Sequence, residues 1–230
     1  LTATPPLIVA IDGPTGVGKS TVARLLARRL GVPYLDTGAM YRALGLKVLE
    51  RRQDPRDSAA VERLLPETEI SLEAGADGAL EVLLDGVPVR DRIRTQEVGA
   101  AASAVALLPA VRRRMVALQQ QSAERTGGVL EGRDIGTKVF PHTPYKFFLD
   151  ARPEIRFRRR HQQLTAQGRT PSLAEVGRQV EERDRQDQQR QDSPLTCDAS
   201  YRRLDASEKS AEAVVEEMLR AVAEIGASRP

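Results

Sequence analysis

Gly13-Pro14-Thr15-Gly16-Val17-Gly18-Lys19-Ser20 satisfies the phosphate-binding pattern G-x-x-x-x-G-K-[ST] at every fixed position. Its flanks decide the reading. Leu7-Ile8-Val9-Ala10-Ile11 is a short apolar run, the pattern of a strand buried on both faces. Thr21 to Leu30 puts Val22, Leu25, Leu26 and Leu30 on one helical face, with Arg24, Arg28 and Arg29 elsewhere. Strand, glycine loop and helix together predict a nucleotide phosphate site. Backbone N–H groups of the loop and first helical turn point at phosphate oxygens. Lys19 adds a mobile positive charge, and the Ser20 hydroxyl is placed to hold magnesium. Gly13, Pro14, Thr15, Gly16, Val17, Gly18, Lys19, Ser20 and Thr21 are therefore the candidate residues for a nucleotide donor.

Outward from this unit the βα pattern continues. Gly31 stops the helix. Val32 to Asp36 reads as a second strand, and a helix runs from Thr37, the expected N-cap, to about Arg51. Pro55 to Leu65 reads as a short helix. The character changes at Pro66. Glu69 to Ala74 alternates; beyond Gly75 and Gly78 come Leu80 to Leu84, the turn Asp85-Gly86, and Val87 to Val89. This is an antiparallel meander, read as an insertion over 66–90. Two helices follow, Thr95–Leu108 and Ala110 to about Glu124, divided by Pro109. Val129-Leu130-Glu131 and Tyr145 to Asp150 read as core strands, the first followed by the loop Gly132 to Thr137. Residues 154–192 read as two helices joined around Gly168-Arg169-Thr170-Pro171. Leu204-Asp205 ends the last strand, and Ala211 to Ile225 is an amphipathic helix. Gly13, Asp36, Arg133 and Asp150 all fall at strand ends. That implies an α/β fold whose parallel sheet binds ligands outside its carboxyl edge.

Composition narrows the partners. The 230 residues are 40% hydrophobic and 29% charged, enough to bury a sizeable core. Trp is absent and there are only 4 Tyr and 4 Phe, which argues against aromatic platforms for single-stranded nucleic acid. A net charge of +3 is too small to imply a polynucleotide partner. The cations are mostly arginine, whose rigid fork suits carboxylates and phosphates. Cys197 is the only cysteine, so an intrachain disulfide and a cysteine zinc cluster are excluded. His142 and His161 are too few for a histidine-rich metal site. With no signal-type N-terminal segment and no membrane-length apolar run, the expected location is the cytoplasm.

Four further clusters carry chemistry. Thr37 and Arg42 sit in the first turns of one helix, where a second phosphate could bind; equally, Thr37 could only cap and Arg42 only solvate. In Gly132-Arg133-Asp134, Arg133 is suited to phosphate and Asp134 to an amine or an arginine; the alternative is an ion pair between the two. Arg183, Asp187 and Arg190 share a helical stripe that can hold a phosphate and a sugar hydroxyl; the alternative is charge lacing on a solvated helix. Arg156 and Arg158-Arg159-Arg160 open the long helical pair, which could close over donor phosphates or remain a solvated face. The guanine-reading Asn-Lys-x-Asp of GTP switches is absent. Arginines spread over several strand-end segments suggest two phosphate-bearing substrates, and an acceptor that is already a phosphate needs little general-base help.

At these residues the chain resembles the bacterial cytidylate kinases, over residues 7 to about 225. The resemblance rests on Ile11 to Thr21, Leu35 to Arg42, Ile93-Arg94-Thr95-Gln96-Glu97-Val98, Glu131 to Pro141 and Glu182-Arg183-Asp184, together with the meander, which is similar to the family's insertion in the nucleoside-monophosphate (NMP) binding region. It implies a P-loop NTPase fold, three-layer α/β/α, with a helical lid. The corresponding division is a core of 1–65, 91–150 and 193–230, an insertion of 66–90 and a lid of 151–192. The implied reaction passes the γ-phosphoryl of ATP, with Mg²⁺ at Ser20, to CMP or dCMP. By the same resemblance Thr37, Arg42, Arg133 and Arg190 surround the acceptor phosphate. Ser103, Arg112 and Asp134 read cytosine, and Arg183 and Asp187 address the sugar. Lys19, Arg133 and Arg190, with the lid residues Arg159 and Arg160, stabilise the transferring group. A monomer is implied, with neither nucleic-acid polymer nor membrane as partner. Cys197 and Tyr201 are expected to be structural. The alternatives are another small-molecule kinase of the UMP, AMP or shikimate type, which would fill the base pocket differently, and an ATP-binding switch without turnover.

Overall fold

The computed structural model describes residues 6–75 and 80–227. The expected turn residue Gly78 and the first five residues lie outside that range. In chain order the elements are β1 (Ile8–Asp12), α1 (Lys19–Leu30), β2 (Tyr34–Asp36), α2 (Thr37–Glu50), α3 (Ser58–Leu64), β3 (Ile70–Ala74), β4 (Leu80–Leu84), β5 (Val87–Pro88), α4 (Gln96–Val105) and α5 (Pro109–Thr126). Then come β6 (Gly128–Gly132), β7 (Tyr145–Asp150), α6 (Pro153–Ala166), α7 (Leu173–Gln189), β8 (Arg202–Asp205) and α8 (Ala211–Ala227). The described residues divide into two compact units, one formed by Val32–Gly128 with Pro6 and Leu7, the other by Ile8–Gly31 and 129–227.

In the second unit the strands lie in the order β6-β1-β7-β8. β1 pairs parallel with β7, and β7 parallel with β8. The register sets Asp12 beside Phe148 and Asp150 beside Asp205, so the carboxyl ends finish along one edge. Val9, Ala10, Ile11, Leu130, Phe147 and Leu149 are fully buried, as continuous apolar runs in a parallel sheet must be. α8 packs on α1 through Val214, Val215, Met218 and Ala221. α6 and α7 pair around Leu164, Val176 and Val180, with Phe157 against them. α1 begins at Lys19, two residues earlier than its periodicity suggests, because Gly18 supplies the left-handed N-cap (φ 101°) and nothing after it breaks a helix. Part of the loop expected at Gly132–Thr137 winds into a π-helical turn over Ile135–Val139.

The first unit is built on α2, which packs against α4. The meander is a three-stranded antiparallel sheet, β3-β4-β5. Asp85 (φ 51°) and Gly86 (φ 76°) make its tight hairpin turn, as a two-residue loop between right-twisted strands requires. Asp85 also anchors the sheet: it pairs with the buried Lys47 of α2 and accepts from the backbone of Glu69 at 3.0 Å. Arg114 of α5 donates to the Thr68 carbonyl at 2.8 Å. The N-cap of α2 is Asp36, not Thr37. The Asp36 carboxylate accepts the Ala39 N–H at 3.1 Å, while Thr37 is already helical and buried. With β2 running directly into α2, the last strand residue is the one left with extended backbone and a free acceptor. No described helix is long and apolar enough to cross a membrane.

Gly45 stands where α2 meets α4. A methyl group there would come within 2.9 Å of the Ala102 backbone nitrogen, whereas at Gly99 it would meet nothing within 4 Å. Gly45→Ala is expected to destabilise by about 1–3 kcal/mol through overpacking. Gly99→Ala, in an open helical position, is expected to stabilise by roughly 0.5–1 kcal/mol. Urea denaturation of the two variants measures both, and equal shifts would contradict the packing.

Candidate active site

The phosphate loop belongs to the second unit. Lys19, buried at the first position of α1, donates from Nζ to the Gly13 and Pro14 carbonyls, each at 2.7 Å. Burial, with the Arg133 charge added, holds its ammonium far below the usual lysine range, to about 7; Glu131, Asp12 and Asp184 pull the other way. Ser20 and Thr21 follow in the first helical turn with their side chains exposed.

Asp12, at the end of β1, is wholly buried. It accepts from the backbone N–H groups of Ile135 and Gly136, each at 2.9 Å, and from the Tyr201 hydroxyl at 2.7 Å. Burial pushes its carboxyl above the usual range against the pull of those three donors. Tyr201 stands edge-on to Phe148 with ring centres 6.0 Å apart. Its role is thus to fix the backbone just beyond Arg133 and Asp134. Cys197 is exposed.

Arg133 joins the loop to α7. Its Nη2 donates to the Thr15 hydroxyl at 3.1 Å and its Nε to Asp187 at 2.8 Å. The alternative partner Asp134 is not the one these bonds use. Asp187 also faces Arg190 at 3.7 Å. Burial alone would raise the Asp187 carboxyl, but Arg133, Arg190 and Arg183 together hold it below the usual range. Burial likewise works to lower Arg133, and Asp187, with Asp184 and Glu131, more than reverses it. The stripe Arg183-Asp187-Arg190 is therefore an electrostatic unit, although Arg190 itself has left the helix (φ −58°, ψ 137°) and caps it. Among the lid candidates, Arg159 donates to the Val17 carbonyl at 3.1 Å and to the Ala206 carbonyl at 2.7 Å. Arg160 reaches Gln163 on its own helix at 2.7 Å.

The first unit carries a second cationic group. Asp36 faces Arg42 at 3.7 Å and Arg94 at 3.4 Å. Arg94 carries no role in the sequence reading; its signal is its place one residue before the Thr95 cap of α4. The Ser103 hydroxyl donates to the Gly99 carbonyl of its own helix at 3.1 Å. Arg112 is 2% exposed, with its guanidinium 5.9 Å from the Tyr41 ring centre. Asp12 and Asp184 are residues of the second unit that the sequence left without roles, whereas Arg156 was read with the run that could close over donor phosphates and here bonds Asp184 and the Thr15 carbonyl.

The donor set suits a magnesium ion that arrives with phosphates. The Ser20 hydroxyl is exposed beside the loop, and among the described residues no cluster of three or more His, Cys, Asp or Glu side chains could cage a metal independently. A lysine titrating near 7 also has a consequence for binding. A polyphosphate restores the Lys19 charge, so at pH 8 binding of Mg·ATP is expected to take up close to one proton, and affinity to fall as pH rises above 7. Calorimetry in two buffers of different ionisation enthalpy measures the uptake. It should vanish in Lys19→Met.

The cytidylate kinase family matches residues 9–224. A cytidylate kinase of Pelotomaculum thermopropionicum is 45% identical over 221 residues, 96% of either chain. One from Oleidesulfovibrio alaskensis is 49% identical over 189 residues, 82% of this chain and 85% of that protein. A solved structure of an uncharacterised protein from Eubacterium ventriosum shares the fold with a TM-score of 0.54 at 13% identity, covering 95% of this chain and 98% of that one. Matched along nearly its whole described length, from the first strand into the last helix, this chain belongs to the cytidylate kinase family.

Proposed function

We propose that the chain transfers the γ-phosphoryl group of ATP to CMP or dCMP, giving ADP and CDP or dCDP. The observation that carries this reading is Arg133. One guanidinium reaches the phosphate loop at Thr15 and, on its other side, the Asp187–Arg190 pair. A donor in the loop and an acceptor at the arginines would share that residue.

In this reading the loop from Gly13 to Thr21 binds the donor phosphates, and Lys19 exchanges its two carbonyl partners for phosphate oxygens. Ser20, with the nucleotide, would hold Mg²⁺, which would supply neutralisation of developing charge on the phosphates. Thr37 and Arg42, and likewise Arg133 and Arg190, are assigned to the acceptor phosphate. Ser103, Arg112 and Asp134 are assigned to cytosine, and Arg183 and Asp187 to the sugar. No side chain need remove a proton, since the acceptor oxygen is already anionic at neutral pH. Catalysis is then positioning plus charge stabilisation. Residues 151–192, with Arg159 and Arg160, are assigned as the lid that keeps water from competing as acceptor, and 66–90 as the insertion of the NMP-binding region in a P-loop kinase core.

ADP formation from Mg·ATP with CMP, dCMP, UMP and AMP compared in parallel tests the assignment. Strong turnover is expected with CMP and dCMP, weak with UMP and negligible with AMP. A preference for UMP or AMP would overturn the base-reading roles. Arg133→Met is expected to lower kcat/KM for CMP by about 10²- to 10³-fold, the scale of one lost charge-stabilising donor.

A further inference from the structure

Thr15 is gripped on both sides by one ion pair. Asp184 of α7, 6% exposed, accepts the Thr15 N–H through Oδ1 at 2.8 Å. Its Oδ2 pairs with Nη1 of Arg156 on α6, and the same nitrogen donates to the Thr15 carbonyl at 3.0 Å. The donor and the acceptor of a single loop residue are thus both satisfied by a carboxylate and a guanidinium bound to each other. Two more contacts bring the same helical pair onto the loop. A side chain at Gly16 (φ 79°) would come within 2.7 Å of the Arg156 carbonyl, so α6 lies directly against the loop backbone. Arg159 takes the Val17 carbonyl one residue further on.

We propose that Asp184 and Arg156 are positioning residues: a latch that fixes the Thr15 peptide and so presets the phosphate loop for its donor. A loop containing Gly13, Gly16 and Gly18, all at positive φ, has more backbone freedom to lose than most. Preorganised N–H groups bind phosphate without the ordering cost that a free loop would incur. The latch holds the Thr15 peptide, whereas Arg133, the acceptor residue nearest to it, reaches only the Thr15 hydroxyl, so the larger effect falls on the donor. This inference rests on the reading of the loop as a donor site, not on the identity of the acceptor.

The test is a double-mutant cycle read by calorimetry with Mg·ATP and no acceptor. Asp184→Asn keeps the size and one acceptor oxygen but removes the charge; Arg156→Gln removes the other half. Each is expected to weaken ATP binding about tenfold, the scale of a charged hydrogen-bond pair. The double variant should lie within about twofold of the worse single, because one latch is lost only once. KM for CMP should stay within about twofold in all three. Arg156→Lys keeps the buried charges balanced and carries the test should Asp184→Asn fail to fold; it too should lose ATP affinity and spare CMP. Unchanged ATP affinity, additive losses in the cycle, or an equal rise of the CMP KM would each overturn the latch. If ATP binding follows this pattern while CMP is not phosphorylated, the latch stands and the acceptor assignment falls.

Discussion

The carboxylate of Asp12 is the constraint on which the second unit turns. A charge-bearing group wholly removed from water must be saturated with donors or neutralised. Here two backbone N–H groups and a phenol saturate it. Those partners are not incidental. Ile135 and Gly136 open the turn beyond β6, and Tyr201 immediately precedes β8, so one side chain ties three sheet segments together at their functional edge. Arg133 stands two residues before the nearest of these bonds. Its reach to both Thr15 and Asp187 depends on a backbone that Asp12 fixes.

Electrostatics in this region are balanced rather than surplus. Lys19, Arg133 and Arg190 would repel one another in a buried space, and Asp187 and Asp184 offset them without being consumed by any single partner. The loop meets part of its own need, since the Lys19 ammonium is bound to carbonyls five and six positions behind it. Such an arrangement keeps a cation buried at modest cost until a stronger anion displaces the carbonyls. The first unit solves the matching problem with a single acid: Asp36 both caps α2 and faces Arg42 and Arg94.

Local features of the sequence were legible. The spacing of Gly13, Gly18 and Lys19, the left-handed stop at Gly31, the Asp85-Gly86 hairpin and the Pro109 break all encode backbone geometry within a few residues, and each appears as read. Arg183 and Asp187 of the Arg183-Asp187-Arg190 stripe were legible for the same reason, one helical turn apart on α7, whereas Arg190 reaches Asp187 from the non-helical cap. What could not be read was pairing across the chain. Arg133 had a neighbouring acid in Asp134, yet its bond goes to Asp187 on a distant helix. Asp12 drew no reading of its own and Tyr201 only a structural one, since nothing local signals that they meet. The displaced cap of α2 has a subtler cause. Thr37 and Asp36 are both good caps, and only the abrupt passage from β2 to α2 decides between them.

The way the chain threads its two units bears on the order of synthesis. Val32 to Gly128 is one uninterrupted stretch that holds α2, the meander and α4. The other unit opens with β1, whose partner strand β7 emerges only after that whole stretch, with β8 later still. On a ribosome the phosphate loop is therefore made early but completed late. β1, with its apolar side chains Val9, Ala10 and Ile11, must wait without its sheet while a folded neighbour forms downstream. Loop-closure entropy makes such distant parallel pairing slow. The nascent nucleotide-binding half, not the meander-bearing half, is the part of this chain with the greater need of shelter during its birth.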